Sequence, residues 1–480
     1  MLIFRYLFFD KTEDMKIEIK DLGAIKSATI DLSKPLNVFA GPNGTGKTYL
    51  AYVLYSLFKN RIYVSGSKSA LSKEMFKELI EEKETSYQLD FDEINAYRDK
   101  IAEDLKADLD SIFGISEEMG RKFFEGTTIQ FLESKEELRK RLLKNSFDFQ
   151  IDINGSIVKV SKEKGAGSLS LKVEDQSIST DYLNRLEVFL LPVLIAQLAI
   201  FPVSSVYILP VERNSIFTFS KELSIRKQEA IDHFHAMTGK EKVDRFDLLF
   251  KTTKRYPSAV RDGLLIAEDL AEIKKVRSPF FGFALELEKA LLYGKVEVSE
   301  DGELQFKSDK NPKKLLPIQM TASIVKSLAS LVIYLKYLAK EHDLIIIDEP
   351  EINLHPNNQL VLTRIFARLM AKGFRLIIST HSDYIVRELN NLIMLSAREA
   401  GIEGVRAQYG YSLEETIAVQ DVAVSYFNYP VSKRNYRQLS VRRLEVTKTG
   451  FEIPSIDETI ESQNMISEDL YDALSQDSDE

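Results

Sequence analysis

The 480-residue chain contains no cysteine and only five histidines. The absence of cysteine excludes disulfide scaffolds, thiol catalysis and cysteine-ligated zinc or iron–sulfur sites. So few histidines disfavour a histidine-rich metal centre. Glycine (21) and proline (13) are too scarce for a low-complexity chain. The length suggests two or three lobes of an ordinary globular protein. The lack of cysteine suits the reducing cytoplasm, and we expect the protein to be located there.

Long apolar runs are also scarce. Residues 188–203 are nearly all apolar but contain two prolines and a glutamine, and the run is shorter than the ~20 residues that a spanning helix needs. We predict a buried helix there, followed by a buried strand at 205–209, and no membrane association. Residues 1–9 lack the basic start and cleavage site of a signal peptide. Residues 1–14 form either an extra strand or an upstream start.

The net charge of −9 argues against a globally basic nucleic-acid binder. The charge is uneven, because residues 451–480 hold ten acidic and no basic side chains. The rest of the chain is close to neutral, so a local basic surface stays possible. Six basic residues surround Tyr436 and either contact DNA or lie along a solvated strand edge; they are Lys433, Arg434, Arg437, Arg442, Arg443 and Lys448.

A glycine-rich loop at 41–48 matches the pattern G-x-x-x-x-G-K-[ST]. A predicted strand (36–40) precedes it and a predicted amphipathic helix (48–59) follows it. Its backbone N–H groups and the helix N-terminus would surround phosphate oxygens. Lys47 would reach the terminal phosphates and Thr48 would ligate Mg²⁺. The predicted ATP-binding residues are Gly41, Asn43, Gly44, Thr45, Gly46, Lys47, Thr48 and Tyr49.

Two short apolar runs at 344–347 and 375–379 are typical of buried parallel strands. The first ends in Asp348 and Glu349. Asp348 would ligate Mg²⁺, usually through water, and Glu349 would polarise the attacking water as a general base. His381 follows the second run and would touch the γ-phosphate and that water; the alternative is a structural histidine.

The segments 41–48, 348–356 and 379–381 resemble the Walker A, Walker B/D-loop and switch-histidine segments of ABC-type ATPases. The form Glu-x-Asn-Leu-His-Pro and the 301 residues between Lys47 and Asp348 resemble the OLD/RecF/SMC branch and not transporter subunits. Residues 208–213 and 450–457 resemble the PtuA-like and AriA-like ATPase subunits of bacterial anti-phage defence systems. The resemblance covers roughly residues 15–60 and 205–460.

The resemblance implies an α/β P-loop NTPase fold: an ABC-ATPase head with a mixed sheet flanked by helices and a mainly helical inserted lid or arm. We divide the chain accordingly. The segments are 1–60 (head, with the P-loop), 61–200 (helical and small β insertion), 201–217 (return to the head), 218–295 (helical insertion), 296–450 (head) and 451–480 (acidic tail). Within them we expect strands at 147–175 with a turn at 154–155, a hairpin at 296–307 and a helix at 323–340.

In the family, a signature segment of one head caps the ATP of the other. Residues 321–328 resemble it, with Ser323 and Lys326 acting in trans, although Ile324 stands where the family has glycine. A β-branched side chain would crowd the approach to the γ-phosphate. The alternative is a plain helix start with Ser323 as N-cap. Glu212 and Arg213 lie either near the nucleotide or in a structural ion pair.

The leading functional hypothesis is a Mg²⁺-dependent ATPase that forms a homodimer or higher oligomer through its heads. By resemblance, it would control a separately encoded nuclease or toxin in anti-phage defence. Only about 85 residues follow Leu395, and an OLD-like nuclease would need more. We therefore assign Asp477-Ser478-Asp479 to a disordered tail and not to a metal site. The alternatives are a RecF/SMC-like DNA-repair or DNA-clamp ATPase and a slowly hydrolysing, ATP-loaded scaffold or sensor.

Overall fold

A mixed sheet organises the part of the chain that the computed structural model describes, which is residues 4–6, 15–59, 73–153, 156–173, 190–191, 194–200, 203, 205–220, 256–429 and 439–476. Nine strands of these residues form it. In spatial order they are β10 (Val206–Leu209), β14 (Leu344–Asp348), β15 (Arg375–Thr380), β4 (Leu36–Ala40), β16 (Val422–Asn428), β17 (Leu439–Leu444), β3 (Ile25–Asp31), β2 (Lys16–Leu22) and β6 (Thr128–Phe131). The five strands from β10 to β16 run parallel, and antiparallel pairs occur beyond them. The mixed sheet is as predicted.

The central strands are buried on both faces. Along β4, Val38 faces one hydrophobic core and Phe39 the other, because successive side chains of a strand point to opposite faces. Along β14, Ile346 and Ile347 divide in the same way. This arrangement explains why the sequence shows continuous apolar runs here and not alternation, and it confirms the predicted strands at 36–40, 344–347 and 375–379.

Helices cover both faces of this sheet. The described helices are α1 (Lys47–Lys59), α2 (Lys73–Glu81), α3 (Phe91–Ala107), α4 (Leu109–Phe113), α5 (Glu117–Phe124), α6 (Lys135–Lys144), α7 (Ser258–Glu268), α8 (Leu270–Ile273), α9 (Phe281–Leu287), α10 (Ser323–Ile333), α11 (Pro356–Ala371), α12 (Asp383–Met394), α13 (Ile402–Gln408) and α14 (Pro454–Gln476). Residues 213–220 are also helical. The α1 side chains that the sequence places on one face, among them Leu50 and Leu54, are buried in the first core.

Two smaller antiparallel sheets lie outside the central one. The first has the order β1 (Phe4–Tyr6), β7 (Phe147–Ile153), β8 (Ser156–Lys162), β9 (Ser168–Val173) and β5 (Glu84–Gln88). The second has the order β11 (Gly294–Val298), β12 (Leu304–Ser308) and β13 (Leu315–Pro317). The predicted hairpin at 296–307 is confirmed, with Val298 opposite Leu304. The predicted turn at 154–155 lies outside the described residues, although β7 and β8 pair antiparallel.

The helix predicted at 323–340 begins at Ser323 as predicted, but its regular part ends earlier. Ala322, in an extended conformation, is the N-cap of α10, so the alternative of Ser323 as N-cap is wrong. Regular helix ends at Ile333 and continues as a π-helical turn over Tyr334–Leu338. The buried Tyr334 side chain donates to Asp343 at 2.7 Å, which holds this turn against the start of β14.

The basic residues Arg442 and Arg443 are exposed, as the solvated alternative expected, but their strand is not at the edge of the sheet. Their strand, β17, sits inside the sheet between β16 and β3. Arg442 packs over the Tyr426 ring, and Arg443 donates to Asp31 at 2.9 Å. Burial raises the pKa of the Asp31 carboxyl, but hydrogen bonds from Ser33 and Arg443 outweigh it and leave the pKa lowered. Residues 433–437 are not among the residues that the structure describes.

The structure describes only part of the other segments that the sequence singled out. Within the run 188–203, all described residues are buried, and β10 follows as predicted. Across the described ranges, no helix has the length and apolarity needed to cross a bilayer. Helices α7 to α9 occupy the described part of 218–295, and residues 221–255 are outside it. Much of the acidic segment forms α14, while the predicted tail residues 477–479 are not described.

Candidate functional site

The glycine-rich loop joins the buried end of β4 to the first turn of α1. Gly41 has φ +136°, and a Cβ there would lie 2.1 Å from the carbonyl oxygen of Phe427 on the neighbouring strand β16. Gly46 has φ +86° and packs against Ile25. Thr45 is buried and donates to the Pro42 carbonyl at 2.8 Å, which closes the loop. The loop therefore depends on backbone that only glycine adopts freely.

Two glycines of this loop give a matched test. Gly41→Ala would combine a left-handed φ with a clash against fixed backbone, whereas Gly44→Ala has a φ of +72° but no atom within 4 Å of the new Cβ. We expect Gly44→Ala to cost about 1 kcal/mol of folding free energy, and Gly41→Ala to cost more and to lower ATP affinity at least tenfold. Thermal unfolding measures the folding free energy of each variant, and calorimetric titration measures its affinity for ATP. Equal behaviour of the two variants would contradict the assigned loop geometry.

Lys47 lies inside the loop, with 5% of its surface exposed. Its Nζ donates to the carbonyl oxygens of Gly41 at 2.9 Å and Pro42 at 2.8 Å. Burial lowers the pKa of Lys47, while three nearby carboxylates, those of Glu349, Asp348 and Glu351, oppose that shift. The ammonium is thus held at the loop by neutral acceptors that phosphate oxygens, which bind cations more strongly, would replace.

Asp348 and Thr48 meet across the loop. Thr48 Oγ1 donates to Asp348 Oδ2 at 2.7 Å, and Ser379 Oγ donates to Asp348 Oδ1. Burial raises the pKa of Asp348, and the two hydroxyl hydrogen bonds partly offset the rise. The parallel register explains the encounter, because Asp348 lies opposite Ser379 and Thr380 lies opposite Ala40. The carboxyl ends of β14, β15 and β4 therefore converge on the loop.

A hydroxyl and a carboxylate oxygen side by side are hard ligands of the kind that Mg²⁺ prefers. Within the described ranges, no group of three or more His, Cys, Asp or Glu side chains is arranged to hold a metal. The pair formed by the Thr48 hydroxyl and the Asp348 carboxylate still fits Mg²⁺, which usually takes only one or two protein carboxylates and completes its shell with phosphates and water.

Glu349 adopts a left-handed conformation, with φ +47°. Its N–H donates to the carbonyl oxygen of Ser379 at 3.0 Å, and its Oε1 lies 3.9 Å from His381 Nδ1. Strained backbone of this kind persists only where neighbouring groups hold it, and it occurs often at active sites. The side chain is partly exposed.

Arg213 supplies much of that support. Its guanidinium is 2% exposed and donates to the carbonyl oxygens of Asp348 and Glu349, each at 2.7 Å, and of Pro210 at 3.0 Å. Burial lowers its pKa to about 10. Arg213 thus lies beside Asp348 and Glu349 and bonds their backbone carbonyls, and Glu212 accepts a hydrogen bond from the Tyr52 hydroxyl at 3.0 Å. Burial, with Glu212 nearby, raises the Tyr52 pKa.

Other predicted residues lie apart from this cluster. Ser323 is exposed at the start of α10, and across the described ranges no hydrogen bond or ion pair joins Ser323 or Lys326 to residues 41–48. Asn43 is exposed at the loop. The exposed ring of Tyr49 packs 4.9 Å from that of Phe113.

The sequence interpretation missed three residues of the site. Ser379 bonds Asp348, and parallel pairing of the two predicted strands already points to that partnership. Glu351 accepts hydrogen bonds from Thr380 and His381, and its signal was a third acid close to Asp348 and Glu349. Tyr429 donates to the Gly44 carbonyl at 2.9 Å, and nothing in the local sequence indicates this contact.

These features define a P-loop nucleoside triphosphatase. The family model described as "AAA ATPase domain" matches residues 15–191 and 207–386, which is more than half of the chain. The chain therefore belongs to this family, and it is an ATPase. No curated protein sequence matches it.

Solved structures with a similar fold include three SMC heads. An Smc head bound to the C-winged helix domain of ScpA has 11% identity and a TM-score of 0.34, covering 91% of this chain and 98% of that chain. The Smc head of Pyrococcus furiosus, with an extended coiled coil and bound to the C-terminal domain of ScpA, has 13% identity and a TM-score of 0.33 over 95% and 99%. The SMC head domain from Thermotoga maritima has 10% identity and a TM-score of 0.29 over 90% and 100%.

Proposed function

We propose that this ATPase binds Mg²⁺-ATP at the loop 41–48 and hydrolyses it with Glu349 as general base. The observation that carries the proposal is the hydrogen bond between Thr48 and Asp348, residues 300 positions apart. It joins the glycine-rich loop to a Mg²⁺-compatible oxygen pair, and the partly exposed Glu349 directly follows Asp348 in the chain. Lys47 would bind the terminal phosphates, and His381 would contact the γ-phosphate and the attacking water. Bound Mg²⁺ would neutralise charge that develops on the phosphates.

The exposed start of α10 supports the proposal that two heads pair around the nucleotide. Ala322 offers no side-chain cap to this helix of 11 residues, and the Val325 N–H donates to the Ala322 carbonyl at 3.0 Å. The N–H groups of Ser323 and Ile324, which precede it, are therefore the ones that an anion would meet. Ile324, which stands where the resemblance expects glycine, packs against the second hydrophobic core. Because the Ile324 side chain packs against this core, Ser323 of one head would approach the γ-phosphate bound by the other head with less steric hindrance from Ile324.

We further propose that the ATP cycle controls a separately encoded effector, a nuclease or toxin, in anti-phage defence. The resemblance of residues 208–213 and 450–457 supports this setting, and helix α14 supports a protein partner. One side of α14 presents exposed apolar residues, among them Ile466, Leu470, Tyr471 and Leu474. Its acidic residues flank that stripe, and the helix has no basic residue. A groove with basic edges on the effector fits this pattern.

A single-residue comparison tests the role of α14. Leu470 and Met465 are 61% and 64% exposed on opposite sides of the helix. We expect Leu470→Glu to weaken binding of the effector at least tenfold, since a buried leucine contributes about 1.5–3 kcal/mol, and Met465→Glu to change it little. The measurement is affinity for the protein encoded beside this chain, after co-expression.

Each outcome of that comparison decides one part of the proposal. Binding that survives Leu470→Glu would exclude the apolar stripe as the contact. No complex with the neighbouring gene product would count against effector control itself. If Leu470→Glu lowered the oligomeric mass of this protein measured without the effector, the stripe would join two copies of the chain.

A further inference from the structure

Glu351 is a buried carboxylate that the proposed chemistry does not use. It lies three residues beyond Asp348 and is 8% exposed. Its Oε1 accepts hydrogen bonds from Thr380 Oγ1 at 2.9 Å and from the backbone N–H of His381 at 2.8 Å. The same oxygen lies 3.3 Å from His381 Nδ1. One oxygen atom thus fixes both the backbone and the ring of the switch histidine.

Stability alone does not explain a charge at this position. The second oxygen, Oε2, is buried without a hydrogen-bond partner, and a buried carboxylate with unfilled acceptor sites is costly. An uncharged amide would accept the same two hydrogen bonds from Thr380 and His381. The negative charge of Glu351 opposes the lowering by burial of the pKa values of Lys47 and Arg213, and it also faces the ring of His381 at 3.3 Å.

The imidazole of His381 is the ring in direct contact with this charge. A neutral ring carries its proton on one nitrogen and a lone pair on the other. A lone pair on Nδ1 would face Glu351 Oε1 at 3.3 Å and Glu349 Oε1 at 3.9 Å, with electrostatic repulsion from both. Glu351 is the closer of the two, and its two further hydrogen bonds fix it, whereas Glu349 is partly exposed.

We propose that Glu351 is a positioning residue that holds His381 as the Nδ1–H tautomer and so directs the Nε2 lone pair to the attacking water. Hydrogen bonds to one ring nitrogen commonly set the role of the other. This inference rests on the proposed function of His381 at the nucleotide, but the tautomer itself is independent of that function.

Imidazole ¹⁵N NMR of the full chain labelled at histidine tests the inference directly. The chain has five histidines, and His381→Asn identifies the signal of His381. In the wild type we expect a protonated Nδ1. In Glu351→Met we expect the proton on Nε2 and a kcat lowered about 10- to 100-fold, the usual effect of losing such a partner, with ATP affinity within about twofold. Glu351→Gln should retain the Nδ1–H tautomer and recover part of kcat.

Glu388 provides the matched control. It is also a buried carboxylate, accepts from Arg364 at 2.7 Å and Tyr411 at 3.0 Å, and lies outside the site. Glu388→Gln should change neither the tautomer nor kcat per folded molecule. A wild-type His381 protonated on Nε2, or an unchanged tautomer in Glu351→Met, would overturn the inference. Full turnover in His381→Asn would instead remove the proposed role of His381 and leave the tautomer assignment standing.

Discussion

Replacing Lys47 by methionine should lower ATP affinity by about 10²-fold or more and abolish turnover. The Lys47 ammonium now donates to two neutral carbonyls of its own loop. On nucleotide binding it would exchange them for charged phosphate oxygens, and each hydrogen bond to a charged group contributes about 1.5–3 kcal/mol. Methionine keeps the length and the apolar stem of the side chain, so the loss isolates the charge.

Calorimetric titration with ATP in the presence of Mg²⁺ measures this prediction. Lys336→Met is the control, since Lys336 is also buried and bonds Glu288 Oε1 at 2.8 Å and the Val296 carbonyl at 2.6 Å, outside the cleft. Lys336→Met should destabilise the fold, because it leaves Glu288 as an uncompensated buried charge. It should leave ATP affinity per folded molecule unchanged. Wild-type affinity in Lys47→Met would refute the assignment of the loop.

The nucleotide cleft was largely predictable because local signals define its parts. The strands that carry the site are short apolar runs, and the loop has a fixed pattern of glycines between a strand and a helix. Parallel strands that end at one edge then bring Asp348 and His381 to the loop, although about 300 residues separate Asp348 from Lys47. Pattern and topology were sufficient together, and neither was sufficient alone.

Pairing between distant strands was not predictable in the same way. The polar pattern of β17 suggests a solvated edge; Arg442 and Arg443 are exposed as expected, but the strand lies between β16 and β3. Periodicity reports which face of a strand is buried and not which strands pair with it. The partnership of Arg443 with Asp31, 412 residues away, depends on that pairing.

Support of the catalytic backbone also left no signal in the sequence. Arg213 bonds the carbonyl oxygens of Asp348 and Glu349, and every residue type has a carbonyl. A charged side chain that acts on backbone therefore has no recognisable partner in the sequence. Because Glu349 has a positive φ, this support determines how the side chain of the proposed general base is oriented.

Replacing Glu349 by glutamine should slow hydrolysis about 10²–10⁴-fold, the usual contribution of a general base, and leave ATP affinity close to that of the wild type. Glutamine preserves the shape and the backbone contacts of Glu349 with Ser379 and Arg213. It cannot take the proton of the attacking water. Bound ATP would persist, and the paired heads that hydrolysis normally separates would accumulate.

Single-turnover ATP hydrolysis and light scattering after size-exclusion chromatography measure the two effects. Glu403→Gln, an exposed acid beside Arg406, should match the wild type in both. Adding Ser323→Arg to Glu349→Gln should abolish pairing without loss of ATP binding, because Ser323 is proposed to act on the ATP of the other head. Turnover of Glu349→Gln at the wild-type rate would refute the general base. If the wild type were equally slow and held ATP intact, the chain would instead be an ATP-loaded scaffold, whose output is the paired state itself.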